Sequence, residues 1–398
     1  MPNDSNPKLQ ALGQPVHDHP DDPKHPAEGI ALCLSGGGYR AMLFHLGALW
    51  RLNELQYLPK LNLVSSVSGG SIANGVLAMN WNKLQFNAEG CAQKFDQLVT
   101  QPICGLASKS IDVSSIIGGI FGGVSQAVAK HYREYLFGNT TLQNLPDSPR
   151  FVFNSTSLQT GVLWRFSKPF MGDWIVGLIM NPKIDLATAV AASSAFPPVL
   201  SPAVLETNPK SYTKGQDPPP PGVTYPAFRQ KIVLSDGGVY DNLGLETAWK
   251  RYTTILVSDG GGALGMEASP AQDWLGQSYR VLNVEYNQVG ALRKRTLIAS
   301  YQNKLREGTY WGIRTDVRNY KLANALQCDL SVTQRLAATA TRLTALETSL
   351  QHELIDWGYA VCDAAVRTHV VPKAPAPQQS PFGTFKQAKG AAKAAGAK

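Results

Sequence analysis

A serine between a short strand and a helix is the first candidate for chemistry in this sequence. Ser68 follows the apolar run Leu61–Ser65 and precedes Gly69 and Gly70, and the pattern predicts a helix over Ser71–Asn80. Small residues around a serine at a strand-to-helix turn are typical of a nucleophile elbow, which pushes the hydroxyl out at the carboxyl end of the strand. The chemistry expected there is attack of the serine oxygen on a carbonyl carbon.

The elbow pattern is incomplete, because Ser66 stands where Gly-x-Ser-x-Gly has its first glycine. Serine is small enough to fit, although backbone strain is expected to rise there. An ordinary Gly/Ser turn explains this stretch equally well when it is taken alone. In the nucleophile interpretation, the backbone N–H of Gly69 lies at the helix start and is a candidate donor to an oxyanion.

A second glycine turn precedes the elbow. The strand Ile30–Leu34 leads into Gly36, Gly37 and Gly38, and a helix is predicted over about Ala41–Leu55. Consecutive glycines leave N–H groups unshielded, and the helix dipole adds partial positive charge, which suits an oxyanion hole. A nucleotide phosphate loop is the alternative, but the Lys-Ser/Thr of a P-loop and the ribose-binding acid of a dinucleotide site are missing.

Two carboxylates compete for the role of general base. Asp236 ends the strand Lys231–Ser235, and Asp259 ends the strand Thr254–Ser258; both precede glycines. A carboxylate is a weak base at neutral pH unless desolvation raises its pKa. The local pattern alone does not separate the two.

Histidines offer an alternative base in a Ser-Asp-His triad, with His369 as the nearest candidate at a helix end. The leader carries His17, His19 and His25 among aspartates, but a solvated flexible arm is the simpler interpretation. The five cysteines are scattered without metal-ligand spacing. We therefore predict neither a metal nor a cofactor.

The elements that position these residues are short apolar runs alternating with helical periods. This alternation predicts a single α/β domain with a mainly parallel central sheet and helices on both faces. Further strands are predicted at Phe151–Thr156 and Val281–Val284. A small-residue helix is predicted over Ile184–Ala195, and a helical extension over about 332–370.

Amino-acid composition limits the classes of protein to which this chain can belong. The 398 residues are 43% hydrophobic, enough for a large core, and the net charge of +8 suits an anionic partner. The polar N-terminus has no signal-peptide core, and no apolar run reaches about 18 residues. The odd, scattered cysteines favour a reducing compartment. We predict a cytoplasmic protein with peripheral contact to anionic membranes and no nucleic-acid partner.

Three regions follow from these patterns: a disordered leader (1–28), one α/β domain with the helical extension (29–371) and a flexible basic tail (372–398). The glycine-rich stretch Ile116–Val124 is apolar and is interpreted as a mobile loop, with a packed core connection as the alternative. We expect the tail and this loop to bring the protein to anionic membranes.

Taken in order, the motifs resemble those of the patatin-like phospholipases. The resemblance covers roughly Gly29–Leu264, with weaker likeness through Trp357–Tyr359, and includes the segment Ala191–Pro197. It implies a three-layer α/β/α fold and a Ser-Asp dyad hydrolase without a catalytic histidine. Ser68 is then the nucleophile and Asp236 the base, while Asp259 caps a loop or helix. The matching oxyanion-hole positions are Gly36, Gly37, Gly38 and Gly69, and the supporting positions are Tyr39, Arg40, Ser66, Gly70, Gly237 and Gly238.

The function implied is a lipid acyl hydrolase of phospholipase A type, with a phospholipid or other acyl lipid as substrate. A soluble esterase or thioesterase is the closest alternative, because the motifs indicate the reaction and not the acyl donor. A non-catalytic lipid-binding protein is the alternative from another class.

Overall fold

A computed structural model of the protein describes residues 26–111 and 123–388. The strands in these ranges are β1 (Ala27–Leu34), β2 (Leu63–Ser66), β3 (Arg150–Ser157), β4 (Leu163–Ser167), β5 (Phe170–Asp173), β6 (Gly177–Met180), β7 (Ala203–Glu206), β8 (Lys231–Asp236), β9 (Tyr252–Asp259), β10 (Glu307–Gly312), β11 (Leu326–Gln327) and β12 (Lys386–Gln387).

The α-helices in the same ranges are α1 (Gly38–Glu54), α2 (Gly69–Asn80), α3 (Gln101–Ala107), α4 (Val124–Tyr132), α5 (Leu186–Ser193), α6 (Tyr225–Gln230), α7 (Gly238–Asp241), α8 (Leu245–Trp249), α9 (Trp274–Gln302), α10 (Leu330–Ala337) and α11 (Thr348–His369).

The central sheet has a parallel half and an antiparallel half. The strands β10, β9, β1, β2 and β3 lie side by side and run parallel, and β4, β5 and β6 continue the sheet antiparallel beyond β3. Parallel neighbours place their carboxyl ends at one edge. The glycine loop after β1, the serine turn after β2 and the end of β9 therefore meet at that edge.

Two strands share one side of β3. β2 pairs with its first half, where Ser66 lies beside Phe153, and β8 pairs antiparallel with its second half, where Asp236 lies beside Ser155. β4 pairs with the other edge of β3. β8 therefore lies on the same edge of β3 as β2, beyond the end of β2. Ser68 is two residues beyond Ser66, so the register brings it to the level of Asp236.

Both faces of the sheet are covered, which explains the continuous apolar runs of β1. Leu32 and Leu34 of β1 belong to the core packed beneath α1, α2 and α11. Ala31 and Cys33 belong to a smaller core on the other face, with residues of α8 and the end of α9. The predicted α/β class with a mainly parallel sheet and helices on both faces is confirmed.

The prediction of a strand at Val281–Val284 is wrong, because these residues lie inside α9. A four-residue apolar run does not distinguish a strand from part of a helix. Asp273 supplies the helix start, since its side chain accepts a hydrogen bond from the Gly276 N–H. Likewise, the extension expected over 332–370 is two helices, α10 and α11, separated by residues 338–347.

Part of the expected flexible tail packs on the body. The carboxylate of Asp356 in α11 accepts hydrogen bonds from the backbone N–H groups of Phe382 and Thr384, both at 2.9 Å, and Phe385 is buried. Residues 389–398, the leader up to residue 25 and residues 112–122 of the glycine-rich loop lie outside the described residues. Among the described helices, none combines the length and apolar character needed to cross a bilayer.

Candidate active site

Ser68 lies at the turn between β2 and α2 in a strained conformation. Its φ of 52° and ψ of −121° fall in a region that residues other than glycine rarely adopt. Ser68 immediately precedes the first residue of α2. Only 9% of the residue is exposed, yet it lines the main cavity of the protein. The turn therefore holds the hydroxyl at the helix N-terminus, facing the cavity.

The strained backbone at Ser68 is held by a neighbouring helix. The Ser68 N–H donates to the Ser193 hydroxyl oxygen at 3.1 Å, and that hydroxyl donates to the Asn154 carbonyl oxygen at 2.6 Å. Ser193 ends α5, and Asn154 lies in β3. Because its N–H is already bonded to Ser193, Ser68 offers no backbone donor to a ligand.

Ser66 fits the elbow through its own hydrogen bonds. Its hydroxyl lies 3.1 Å from the Val152 carbonyl oxygen and 2.9 Å from the Ser71 hydroxyl, and Asn74 donates to it at 2.8 Å. Among the described residues, Ser66 is not one of those with a positive φ. The structure therefore shows no left-handed backbone strain at Ser66, and the strained residue of the turn is Ser68.

The glycine loop after β1 touches the elbow through bare backbone. A Cβ atom on Gly69 would lie 2.1 Å from the Gly38 carbonyl oxygen, and one on Gly36 would lie 3.1 Å from the Ser68 Cβ. Similar close approaches occur at Gly70 and Gly237, where a Cβ would meet backbone carbonyl oxygens at 2.5 Å and 2.3 Å. A side chain at any of these positions would push the loops apart.

Two helix N-termini converge beside Ser68, since α1 begins at Gly38 and α2 at Gly69. In the described part of the chain, the N–H groups of Gly37, Gly38 and Gly69 donate to no other residue. The Gly36 N–H differs, because it donates to both Asn242 oxygens, the carbonyl at 3.0 Å and Oδ1 at 3.1 Å. Three unpaired donors at two positive dipole ends suit an anionic oxygen.

Asp236 ends β8 beside the same turn and is almost completely buried. Its Oδ1 accepts the Gly238 N–H at 2.7 Å, and its Oδ2 has no hydrogen bond of normal geometry to any described residue. Burial raises the pKa of Asp236 to about 7, although the Gly238 N–H and the Ser68 hydroxyl act to lower it. A carboxylate with this pKa exchanges protons near neutral pH.

Asp259, the competing carboxylate, is occupied by other groups. Its oxygens contact Lys294 Nζ at 2.6 Å, the Tyr310 hydroxyl at 2.7 Å and the Gly261 N–H at 2.9 Å. Burial acts to raise the pKa of Asp259, but these partners together lower it. Asp259 therefore stays charged and ties α9 to the sheet.

Arg40, in the first turn of α1, places a cation at the cavity wall. Its guanidinium donates to the Gly260 carbonyl oxygen at 3.1 Å and to the Thr339 carbonyl oxygen, while Nη2 is buried without a partner among the described residues. The preceding residue, Tyr39, is buried and donates its N–H to the Arg342 carbonyl oxygen at 3.0 Å. The loop holding Thr339 and Arg342 therefore fixes the start of α1.

The cavity of about 1060 Å³ brings the predicted residues together with others that the sequence did not indicate. Asn242 and Ser193 hold the glycine loop and the elbow, and Tyr286 of α9 contributes to the wall. Ser193 lies inside the segment Ala191–Pro197, whose motif could have indicated it, whereas no single motif of the sequence analysis includes Asn242 or Tyr286. The apolar residues of the wall include Ile111, Phe196, Pro197, Pro198, Val199, Leu200, Ala263, Leu264 and Leu343.

No histidine among residues 26–111 and 123–388 lines this cavity. His369 lies at the end of α11 with its ring 6.0 Å from the Tyr320 ring. His45 is buried behind the glycine loop, between the Ser258 hydroxyl and the Ser35 carbonyl oxygen. The described geometry therefore offers Ser68 a carboxylate and not an imidazole.

Comparison with known families gives one match. The sequence pattern described as patatin-like phospholipase matches residues 32–249, which is more than half of the chain and includes Ser68 and Asp236. No curated protein matches this chain as a relative.

Comparison with solved structures finds distant similarity. Human GIVD cytosolic phospholipase A2 in complex with methyl gamma-linolenyl fluorophosphonate inhibitor and terbium chloride is 15% identical, with a TM-score of 0.49. That match covers 89% of this chain and 60% of the human protein. VipD from Legionella pneumophila is 16% identical, with a TM-score of 0.33, over 85% of this chain and 66% of that one. The chain thus spans about three fifths of the length of the human enzyme.

Proposed function

This chain belongs to the patatin-like phospholipase family, and we propose from that premise that it hydrolyses acyl esters of phospholipids with Ser68 as nucleophile and Asp236 as base. Family membership supports the general activity, that of a lipid acyl hydrolase. The observation that carries the finer proposal is the cavity shared by strained Ser68 and by buried Asp236, whose pKa is raised to about 7.

The first half of the reaction forms an acyl-enzyme. Asp236 accepts the Ser68 hydroxyl proton as the serine oxygen attacks the ester carbonyl carbon. The carbonyl oxygen becomes an oxyanion, which the unpaired N–H groups of Gly37, Gly38 and Gly69 stabilise. When the intermediate collapses, the carbon–oxygen bond to the alcohol breaks, and Asp236 returns its proton to the departing alkoxide oxygen.

The second half releases the acid. Water attacks the acyl-enzyme carbonyl, Asp236 takes one of its protons, and collapse of the second intermediate returns that proton to Ser68. Burial of Asp236 serves both halves, because a carboxylate with an ordinary pKa would be too weak a base for a hydroxyl.

Two features of the cavity favour a phospholipid. Its wall carries a continuous apolar run from Phe196 to Leu200, suited to an acyl chain. Arg40 adds a cation to the cavity wall, and its positive charge would attract the phosphodiester group of a phospholipid. A soluble ester would contact the apolar wall weakly and would have no phosphate for Arg40 to attract.

A fluorophosphonate probe followed by turnover assays tests the dyad. We expect wild type to be labelled and Ser68→Ala to lose both labelling and, on the order of a million-fold, ester hydrolysis. Ser194→Ala is the matched control, because Ser194 is another hydroxyl of the cavity wall and should leave labelling intact.

Labelling of Ser68→Ala equal to wild type would reject this nucleophile. A wild-type chain that binds phospholipid but is neither labelled nor active would instead support the non-catalytic lipid-binding function. Faster turnover of soluble short-chain esters or thioesters than of phospholipid would favour the esterase alternative.

A further inference from the structure

One side of α9 forms a polar part of the cavity wall. Four uncharged polar residues of this helix line the cavity, and their spacing places them on one side of the helix. The four are Tyr279, Asn283, Tyr286 and Asn287. Arg280, in the same wall, is paired with Glu267 at 3.2 Å. Together with the apolar run from Phe196 to Leu200, this polar part suits a lipid and its headgroup.

The Tyr286 hydroxyl lies beside the base of the proposed dyad. A Cβ on Gly238 would lie 3.1 Å from this hydroxyl oxygen and 3.0 Å from Asp236 Oδ1. The same Cβ would lie 2.9 Å from Asn242 Oδ1, which accepts the N–H of Gly36 in the glycine loop. Because Gly238 has no side chain, these three polar groups come together beside its backbone. A residue of α9, outside the stretch 32–249 that the family pattern matches, therefore reaches the reacting groups.

The Tyr286 hydroxyl is an unused hydrogen-bond donor. It makes no hydrogen bond to any residue that the structure describes. Its oxygen is also not among the polar atoms that are sealed from solvent, so a molecule in the cavity can reach it. Burial raises the pKa of Tyr286 well above its ordinary value, and Asp236 adds to the rise while Arg40 opposes it. The hydroxyl therefore keeps its proton and can donate it in a hydrogen bond.

Packing holds the Tyr286 ring in place. The ring of Phe196 meets it edge to face, with the ring centres 5.9 Å apart. About two turns further along α9, Lys294 pairs with Asp259 at 2.6 Å and ties the helix to the sheet. A hydroxyl held in this way is positioned before a substrate arrives, which lowers the entropic cost of binding.

We propose that Tyr286 selects phospholipids among acyl esters by donating a hydrogen bond to a phosphodiester oxygen of the substrate, a proposal that rests on the proposed function. Hydrogen bonds to an anionic oxygen are stronger than those between neutral groups. Asp236 repels a phosphate and Arg40 attracts it, so the phosphate approaches Tyr286 from the side of Arg40. In a phospholipid, the phosphate and the scissile ester are bonded to one glycerol, and the two groups therefore lie in the cavity together.

The test compares three soluble substrates that share one acyl chain: dibutyrylphosphatidylcholine, dibutyrylglycerol and p-nitrophenyl butyrate. The variant is Tyr286→Phe, which removes the hydroxyl and keeps the ring against Phe196. The matched control is Tyr279→Phe, the same change on the same helix. Tyr279 is 46% exposed and lies about 10 Å from Tyr286 along the helix axis.

We expect Tyr286→Phe to lower kcat/KM for the phosphatidylcholine by about tenfold or more, mainly through a higher KM. The phosphate takes no part in bond breaking, so its hydrogen bond is present in the ground state and the transition state alike. Dibutyrylglycerol and p-nitrophenyl butyrate have no phosphate and should be hydrolysed at the wild-type rate. Tyr279→Phe should match wild type on all three substrates.

Four outcomes would overturn the proposal. Unchanged phosphatidylcholine hydrolysis in Tyr286→Phe would remove the contact. An equal loss on all three substrates would assign Tyr286 to the support of Asp236 or of the fold. Equal losses on the phosphatidylcholine and on dibutyrylglycerol alone would assign the hydroxyl to a glyceryl oxygen. An equal loss in Tyr279→Phe would show that the effect is not specific to Tyr286.

A binding measurement distinguishes failure of this proposal from failure of the proposed function. Ser68→Ala, with and without Tyr286→Phe, is titrated against dibutyrylphosphatidylcholine and followed by phosphorus NMR of the lipid. We expect the affinity to fall about tenfold when the hydroxyl is removed. If it does and wild type hydrolyses no ester, the contact stands and the catalytic function fails. If wild type is active and the two affinities are equal, the function stands and the contact fails.

Discussion

Gly47 of α1 and Gly358 of α11 face each other where the two helices approach most closely. A Cβ on Gly47 would lie 1.8 Å from the Ile355 carbonyl oxygen, and one on Gly358 would lie 1.9 Å from the Phe44 carbonyl oxygen. α11 lies outside residues 32–249, which the family pattern matches, yet it packs directly on the helix that follows the glycine loop. The C-terminal part of the chain is therefore part of the same core.

We expect Gly358→Ala to destabilise the fold, because the new methyl group has no space between the helix backbones. The loss should be about 1–3 kcal/mol or more in the free energy of unfolding, measured by urea denaturation. Gly290→Ala is the matched control, since Gly290 is also within a helix and a Cβ there would meet nothing within 4 Å. The control should be neutral or stabilising by up to about 1 kcal/mol. Equal effects of the two changes would contradict the packing.

The pH dependence of turnover should report Asp236. Its pKa of about 7 means that the carboxyl is protonated below neutral pH and then takes no proton from Ser68. We expect kcat/KM on a soluble ester to fall about tenfold per pH unit below 7 and to level off above it. A profile flat from pH 5 to 8 would exclude Asp236 as the base.

The contribution of Asp236 to folding stability should depend on pH in the opposite direction from its contribution to turnover. The folded pKa lies above the unfolded value of about 3.9, so the native state binds more protons between these two values. The contribution of Asp236 to stability is therefore fully present below about pH 3.9 and is lost as pH rises through 7. We expect Asp236→Asn to be inactive, yet more stable than wild type at pH 8 by a few kcal/mol in urea denaturation. An Asp236→Asn variant less stable than wild type at pH 8 would contradict a stability cost from the buried, charged carboxylate.

The two aspartates should respond differently to the same substitution. Asp259→Asn breaks the contact with Lys294 and weakens that with Tyr310, so we expect a loss of about 1–3 kcal/mol in stability with turnover retained by the folded protein. Asp236→Asn should abolish turnover while circular dichroism stays unchanged. If the Asp259 variant lost turnover and the Asp236 variant kept it, Asp259 would be the base.

His45 should remain neutral in mildly acidic solution. Burial lowers its pKa to about 4, although the Ser35 carbonyl oxygen, which accepts from Nε2, acts to raise it. The pKa of histidine in the unfolded chain is about 6.5. The free energy of unfolding should therefore decrease by about 3 kcal/mol, through His45, as pH falls from 6.5 to 4. The direct measurement is an NMR titration of the ring, which should show the Nε2–H tautomer at pH 5. A doubly protonated ring at that pH would contradict the structure.

The local elements of the site could be predicted from the sequence. Glycines beside a serine or after a buried strand indicate sharp turns at these positions, although Ser193 and Asn242 hold the two turns in the folded chain. The strands before Gly36, Ser68 and Asp236 are therefore found where their apolar runs predict them. Parallel neighbours then bring two of the turns to one sheet edge.

Tertiary structure decided what depends on distant partners. Val281–Val284 has the composition of a strand, but Asp273 and the pairs at Arg293 and Lys294 place it in a helix. The local pattern of Asp259 matches that of Asp236, and apart from the family resemblance, what distinguishes the two carboxylates is the contact of Asp259 with α9 and Tyr310. Burial and pairing are properties of the packed chain, because the free energy of a charge depends on neighbours that no local sequence pattern specifies.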